Sequence, residues 1–167
     1  MNKFQNIADV AKSYLGQREI SPNKIFKDPV FTRKMESVGF YSGAPWCLFF
    51  ARLVWKEAGQ YINKISASSY TTTKNNDVKD DSRNWHTTPI VGAIAIFWTY
   101  KNNKYQGNGH GCVVVDVVDS ENYSTVDGNT TDKGGREGVM VAIRHRHLNK
   151  ESWTKDGLRL MGFVYPK

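Results

Sequence analysis

Hydrophobic positions recur at helical spacing through the first sixty residues and alternate at strand spacing after Pro89. Phe4, Ile7, Ala8, Ala11, Tyr14 and Leu15 share one face of a predicted first helix, with Gly16 as its C-cap. Asp28-Pro29 reads as a cap and first position of a second helix that runs to Gly39, because proline at the first turn gives up an N–H that has no partner anyway. A third helix follows the turn-rich Tyr41 to Pro45: Phe49, Phe50, Leu53 and Val54 form its apolar stripe, Ala58 lies behind them, and Gly59 stops it. From Gln60 to Val91 the pattern weakens, and we expect a short helix or turn near Ser66 to Thr72 followed by a polar surface loop. Strands are expected at Ala93 to Thr99, His110 to Val118, Tyr123 to Asp127, Gly138 to His147 and Met161 to Tyr165. Helices first and strands afterwards predict an α+β fold, N-terminal helices packed on a C-terminal antiparallel sheet of about five strands.

Composition narrows this picture. A chain of 167 residues, 40% hydrophobic, suits one domain over 1–167 with its own core. The net charge of +7 and a pI near 9.4 point to a negatively charged working surface such as nucleic acid, a membrane or a bacterial wall. Nucleic acid is not expected, because no basic run or nucleic-acid-binding signature accompanies the charge; the densest patch is Arg144 to His147 with Lys150. No segment has the unbroken apolar core of a Sec signal or a membrane span, so no membrane partner is expected. Two cysteines, Cys47 and Cys112, allow at most one disulfide and exclude a disulfide scaffold.

Cys47 stands at the start of the third helix, where unpaired N–H groups and the helix dipole favour a thiolate. A free cysteine is also at home as a small buried core residue. Side chains alternate along a strand, so in the strand that His110 enters after a Gly107-Asn108-Gly109 turn, His110, Cys112 and Val114 share one face, with Val113, Val115 and Val117 on the expected core face. Asp127 and Asn129 share a parity on the next strand. If the two strands pair, a carboxylate and an amide lie near His110, and a helix packed across them completes a cysteine–histidine site. Thiolate, proton-shuttling imidazole and orienting polar group are the parts of nucleophilic amide cleavage. The oxyanion would meet the backbone N–H of Cys47 and a second donor, for which the Tyr41 hydroxyl or a nearby amide qualifies, with Trp46 beside the substrate. The other readings are a strand-end histidine bonded to a carbonyl, and a plain Asp-Gly-Asn turn.

Trp46-Cys47 leading into Phe49 and a helix ending Ala58-Gly59, then Gly92 to Phe97, Gly109-His110 with its valine strand, and Val126-Asp127-Gly128-Asn129-Thr130 resemble the CHAP family of cysteine, histidine-dependent amidohydrolases and peptidases in order and spacing, over roughly Phe4 to His147. The resemblance implies a papain-like fold and cleavage of a peptidoglycan amide, by an N-acetylmuramoyl-L-alanine amidase or a stem-peptide or cross-bridge endopeptidase. Cys47 would be nucleophile, His110 base, Asp127 the orienting acid and Asn129 a supporting polar group. The family usually carries glutamate where this chain has Asp127, so either Asp127 or Asn129 can be the group that meets His110. Some members bind calcium through an aspartate-rich loop ahead of the cysteine. No such loop is evident, and Asp77, Asp80 and Asp81 lack alternating ligand spacing, so no metal or cofactor is expected. His145-x-His147 is a weak zinc signal, and Cys112 in its valine run is expected to be inert. The expected setting is a monomer made in the cytoplasm without a Sec signal. It would act on the wall, in the periplasm or outside the cell, as a phage-type lysin or an interbacterial toxin with a cognate immunity protein. The competing expectation is an inactive module that keeps the fold and binds wall peptides or a protein; acyl transfer or deamidation by the same thiol is a third.

Overall fold

The computed structural model describes residues 2–21, 24–130 and 138–167. Its elements run α1 (Lys3–Ser13), α2 (Pro29–Glu36), α3 (Cys47–Glu57), α4 (Ser69–Asn76), β1 (Ile94–Lys101), β2 (Lys104–Val117), β3 (Asn122–Thr130), β4 (Met140–His147), α5 (Leu148–Ser152) and β5 (Gly157–Val164). The five strands form one antiparallel sheet in the order β4-β3-β2-β1-β5. The architecture is α+β, with four helices ahead of the strands. Among the described residues no helix is long and apolar enough to cross a membrane.

Caps set the helix starts. The Asn2 side chain accepts from the Phe4 N–H, and Asp28 accepts from the Val30 N–H at 2.7 Å with Pro29 next in line. Ser68 accepts from the Thr71 N–H, which starts α4 later than the Ser and Thr cluster suggests. Asn76 donates its amide back to Thr72 O at 2.8 Å, which carries the helix to Asn76, into the stretch expected to be loop.

Both faces of the sheet are covered. Ile94, Ile96, Val113, Val115, Val126 and Val141 face α1 and α3, and with Trp46, Phe50, Phe31 and Phe26 they make the larger core. Ala95, Phe97, Cys112, Val114, Tyr123 and Phe163 make a second, smaller core on the opposite face. The face that His110 shares with Cys112 and Val114 is therefore buried as well. The expected valine alternation holds for Val113 and Val115 and then fails: a register shift between Val114 and Asp116 turns Val117 to the second core.

The turn between β1 and β2 is Asn102-Asn103, both at positive φ (49° and 60°), the backbone of a two-residue hairpin turn. Gly107-Asn108-Gly109, expected to be the turn, is strand. His110 is thus an interior strand residue.

Candidate active site

The site lies where β3 parts from β2. The two strands pair from Val117↔Tyr123 back to Val113↔Val126, and beyond that pair β2 continues through Cys112, Gly111 and His110 beside β1 alone. Asp127 is the first residue of β3 past the fork. His110 Nε2 and Asp127 Oδ2 close it with a 2.7 Å bond, both side chains almost completely buried. The start of α3 packs against the same place. Gly111 is a glycine because a Cβ there would sit 2.3 Å from Leu48 Cδ2, and Gly109 because a Cβ would sit 2.0 Å from Phe97 O and 2.4 Å from Ser69 Oγ. Gly109 and Gly111, on either side of His110, remove side chains where two helix starts come close to the strand.

Trp46 caps α3 without a side-chain hydrogen bond, so the first-turn N–H groups are left for the sulfur of Cys47 and whatever approaches it. Burial alone would raise the Cys47 pKa. The His110 charge and hydrogen bond, with the Gly111 and Leu48 N–H groups, outweigh it, and the thiol is lowered. Burial likewise opposes a charged His110, but the Cys47 thiolate and Asp127 raise it to about 9. The two groups favour a thiolate–imidazolium pair. Nε2 is committed to Asp127. Nδ1 has no conventional partner among the described residues and is the nitrogen left to exchange a proton at the sulfur.

Asp127 is itself supported from the far side. Burial would raise its pKa, yet the Arg146 guanidinium and then His110 hold it well below the usual carboxylate range. Arg146 bonds Asp127 Oδ2, and Thr125 Oγ1 donates to Oδ1 at 2.5 Å. Arg146 also lies over the Phe97 ring, 4.6 Å from its centroid, and reaches Glu151 Oε1 at 3.4 Å; Tyr123 Oη donates to the other Glu151 oxygen at 3.1 Å. A continuous polar line therefore runs from Tyr123 through Glu151, Arg146, Asp127 and His110 to Cys47.

Of the residues expected at the site, Cys47, His110 and Asp127 come together, and Asn129, Trp46 and Tyr41 make no hydrogen bond to them. Asn129 is buried, but neither amide atom has a partner among the described residues. A register shift between Asp127 and Thr130, with Asn129 at φ 54°, breaks the alternation that put it beside Asp127. Asp127 is the group that meets His110. Trp46 is completely buried, edge-on to Phe26 at 4.9 Å, and packs the core rather than facing a substrate. Tyr41 is 67% exposed against Phe49 and is not part of the cleft lining. Arg146, Thr125 and Glu151 were not anticipated. The available signal for the first two was parity: Thr125 is two residues before Asp127, and Arg146 pairs with Tyr123, which shares their face.

His110, Cys112 and Asp127 place three potential metal donors within 4.8 Å of one another. Arg146 already fills that space, on Asp127 and 3.9 Å from Cys112 Sγ, and a fixed cation there opposes a divalent ion. Burial pushes the Cys112 thiol well up, the reverse of Cys47, and both cysteines are free.

A cleft of about 150 Å³ opens over Cys47, between the start of α3 (Cys47, Leu48), the start of α4 (Ser68, Ser69) and Gly107 to Gly109 of β2. An activated thiol that lines an open cleft, backed by a buried imidazole hydrogen-bonded to an ionised carboxylate, can attack a carbonyl and protonate a leaving amine. Comparison with protein-family models, with curated proteins and with solved structures found no match.

Proposed function

We propose that the chain is a cysteine amidohydrolase that cleaves an amide bond of peptidoglycan through a Cys47 thioester. The observation that carries this reading is geometric: Cys47 lines an open cleft at the start of α3, and the buried His110, bonded through Nε2 to Asp127, stands behind it, an arrangement that lowers the thiol and raises the imidazole. The wall as substrate is supported by the residue pattern shared with the CHAP family and by a net charge of +7, which suits an anionic polymer.

In the reaction, Cys47 Sγ attacks the amide carbonyl carbon and forms a C–S bond as the carbonyl pair moves to oxygen. The tetrahedral species collapses with loss of the C–N bond, and the departing nitrogen takes the proton from His110 Nδ1. Water then attacks the thioester carbonyl while Nδ1 accepts its proton. The C–S bond breaks, leaving a carboxylic acid and the thiolate beside a protonated imidazole. Asp127 keeps the Nε2–H bonded throughout, which fixes the ring and stabilises its charged form.

The test is digestion of purified peptidoglycan by the wild-type chain and by Cys47→Ala, with soluble products identified by mass spectrometry. Release of fragments by wild type alone supports the reading, and a free lactyl carboxylate or a free peptide carboxylate tells amidase from endopeptidase. Absence of products from walls of several chemotypes would sink it and leave a binding module.

A further inference from the structure

Amide cleavage requires a second hydrogen-bond donor for the oxyanion besides the backbone N–H of Cys47, and Tyr41 does not reach the cleft. Ser69 does. It is the first residue of α4, it is 5% exposed as a residue, and it lines the cleft with Cys47. Its hydroxyl makes no hydrogen bond to any described residue. The nearby polar groups of α4 are otherwise committed: Ser68 caps the Thr71 N–H at 3.2 Å, Thr72 Oγ1 exchanges bonds with the backbone of Ser66 at 2.9 and 3.1 Å, and Thr73 Oγ1 donates to Ser69 O at 3.0 Å. Ser69 Oγ lies 2.4 Å from where a Gly109 Cβ would be, so the missing side chain at Gly109, one residue before His110, makes the room this hydroxyl occupies.

We infer that Ser69 Oγ is the second oxyanion donor of the Cys47 site, a catalytic residue contributed by the start of α4. The inference rests on the thioester chemistry proposed above, and is separable from the identity of the wall bond. The backbone holds Ser69 before any substrate arrives: α4 is pinned at its start by the Ser66–Thr72 bonds and along its side by Tyr70, whose ring packs on Trp98 and Tyr105. A donor fixed in this way stabilises charge that appears on the carbonyl oxygen without reorganising, which is the condition for a large effect on the chemical step.

Two reactions of Cys47 separate this role from a structural one. Alkylation by iodoacetamide displaces iodide at a saturated carbon and forms no oxyanion, whereas acylation by p-nitrophenyl acetate passes through one. Ser69→Ala is expected to slow p-nitrophenol release about a hundredfold, leave the rate of Cys47 alkylation within twofold of wild type, and leave the thermal midpoint nearly unchanged. Ser69→Thr, which keeps the hydroxyl, restores part of the acylation rate. Equal acylation by Ser69→Ala and wild type overturns the inference, as does a parallel fall in both reactions, which would mark a general disturbance of the thiol. If peptidoglycan is not digested yet the two reactions separate as stated, the oxyanion assignment stands and the wall substrate falls.

Discussion

Asp127 is 1% exposed, and a carboxylate so placed takes up a proton unless a cation holds it ionised. Arg146 meets that need from β4, on the same carboxylate oxygen that His110 uses. Arg146→Met leaves the charge of Asp127 buried without its cation, and we expect a loss of about 3–5 kcal/mol in urea unfolding. The low-pH limb of Cys47 alkylation should also move to higher pH, because the site has lost a positive charge. Arg146→Lys keeps the charge but not the two-pronged reach to Asp127 and Glu151 or the stack on Phe97, and should fall between. An alkylation profile unchanged in Arg146→Met would show that the guanidinium does not act on the thiol. Cys47 and Cys112 differ in the same experiment: with Cys47 lowered by its imidazole and Cys112 raised by burial, iodoacetamide at neutral pH should label Cys47 in the folded chain and reach Cys112 only after unfolding. Hydrolysis should decline as pH rises through about 9, where His110 loses the proton that the leaving amine needs.

The way α3 and α4 meet β2 depends on the glycines of that strand. At Gly111 a methyl would press on Leu48, which is 1% exposed and has nowhere to move, so Gly111→Ala should push the start of α3 off the fork. We expect a stability loss of about 1–3 kcal/mol and a larger fall in the alkylation rate of Cys47, since the thiol moves with the helix. Gly107 is the contrast: its φ is +79° but the space around it is open, so Gly107→Ala should cost about 1 kcal/mol in backbone strain and leave alkylation alone. These elements were legible in the sequence to different depths. Apolar spacing and glycine or proline punctuation located α1, α2, α3 and the five strands along the chain, and parity brought His110 to Asp127. Asn102-Asn103 was passed over because Gly-Asn-Gly is the more conspicuous turn signal, although Gly109 serves a close approach to β1 and α4 and only Gly107 has the positive φ and open surroundings of a turn glycine. Asn129 lost its shared parity with Asp127 through a register shift, which a period-two pattern cannot report. Arg146 read only as part of a basic patch and Glu151 carried no signal, because only tertiary packing folds α5 back and closes the line to Asp127.

For the whole molecule the buried charges set a pH dependence whose sign can be worked out. Asp127 titrates well below its unfolded value of 3.8, so its contribution is fully present above that value and is lost as pH falls through and below it. Stability should therefore drop on acidification, and Asp127→Asn should be less stable at pH 6 but lose less between pH 6 and pH 3. On the alkaline side two effects oppose. His110 is raised from 6.5 to about 9, a contribution present below 6.5 and lost as pH rises toward 9. Cys47 is lowered from 9.0, so its contribution grows as pH rises toward 9.0. Counted as protons, a folded thiolate–imidazolium pair holds one, on the imidazole, and the unfolded pair between 6.5 and 9 also holds one, on the thiol, so wherever the folded pair is formed its two shifts cancel in slope. Cys47→Ala removes the cancelling partner while Asp127 still favours the charged imidazole. Urea midpoints of wild type should then be level from pH 6.5 to 9, while those of Cys47→Ala fall across the same range. Matching slopes for the two proteins would mean that the thiol and imidazole do not share a proton in the folded state, and the nucleophile would have to be assigned without its base.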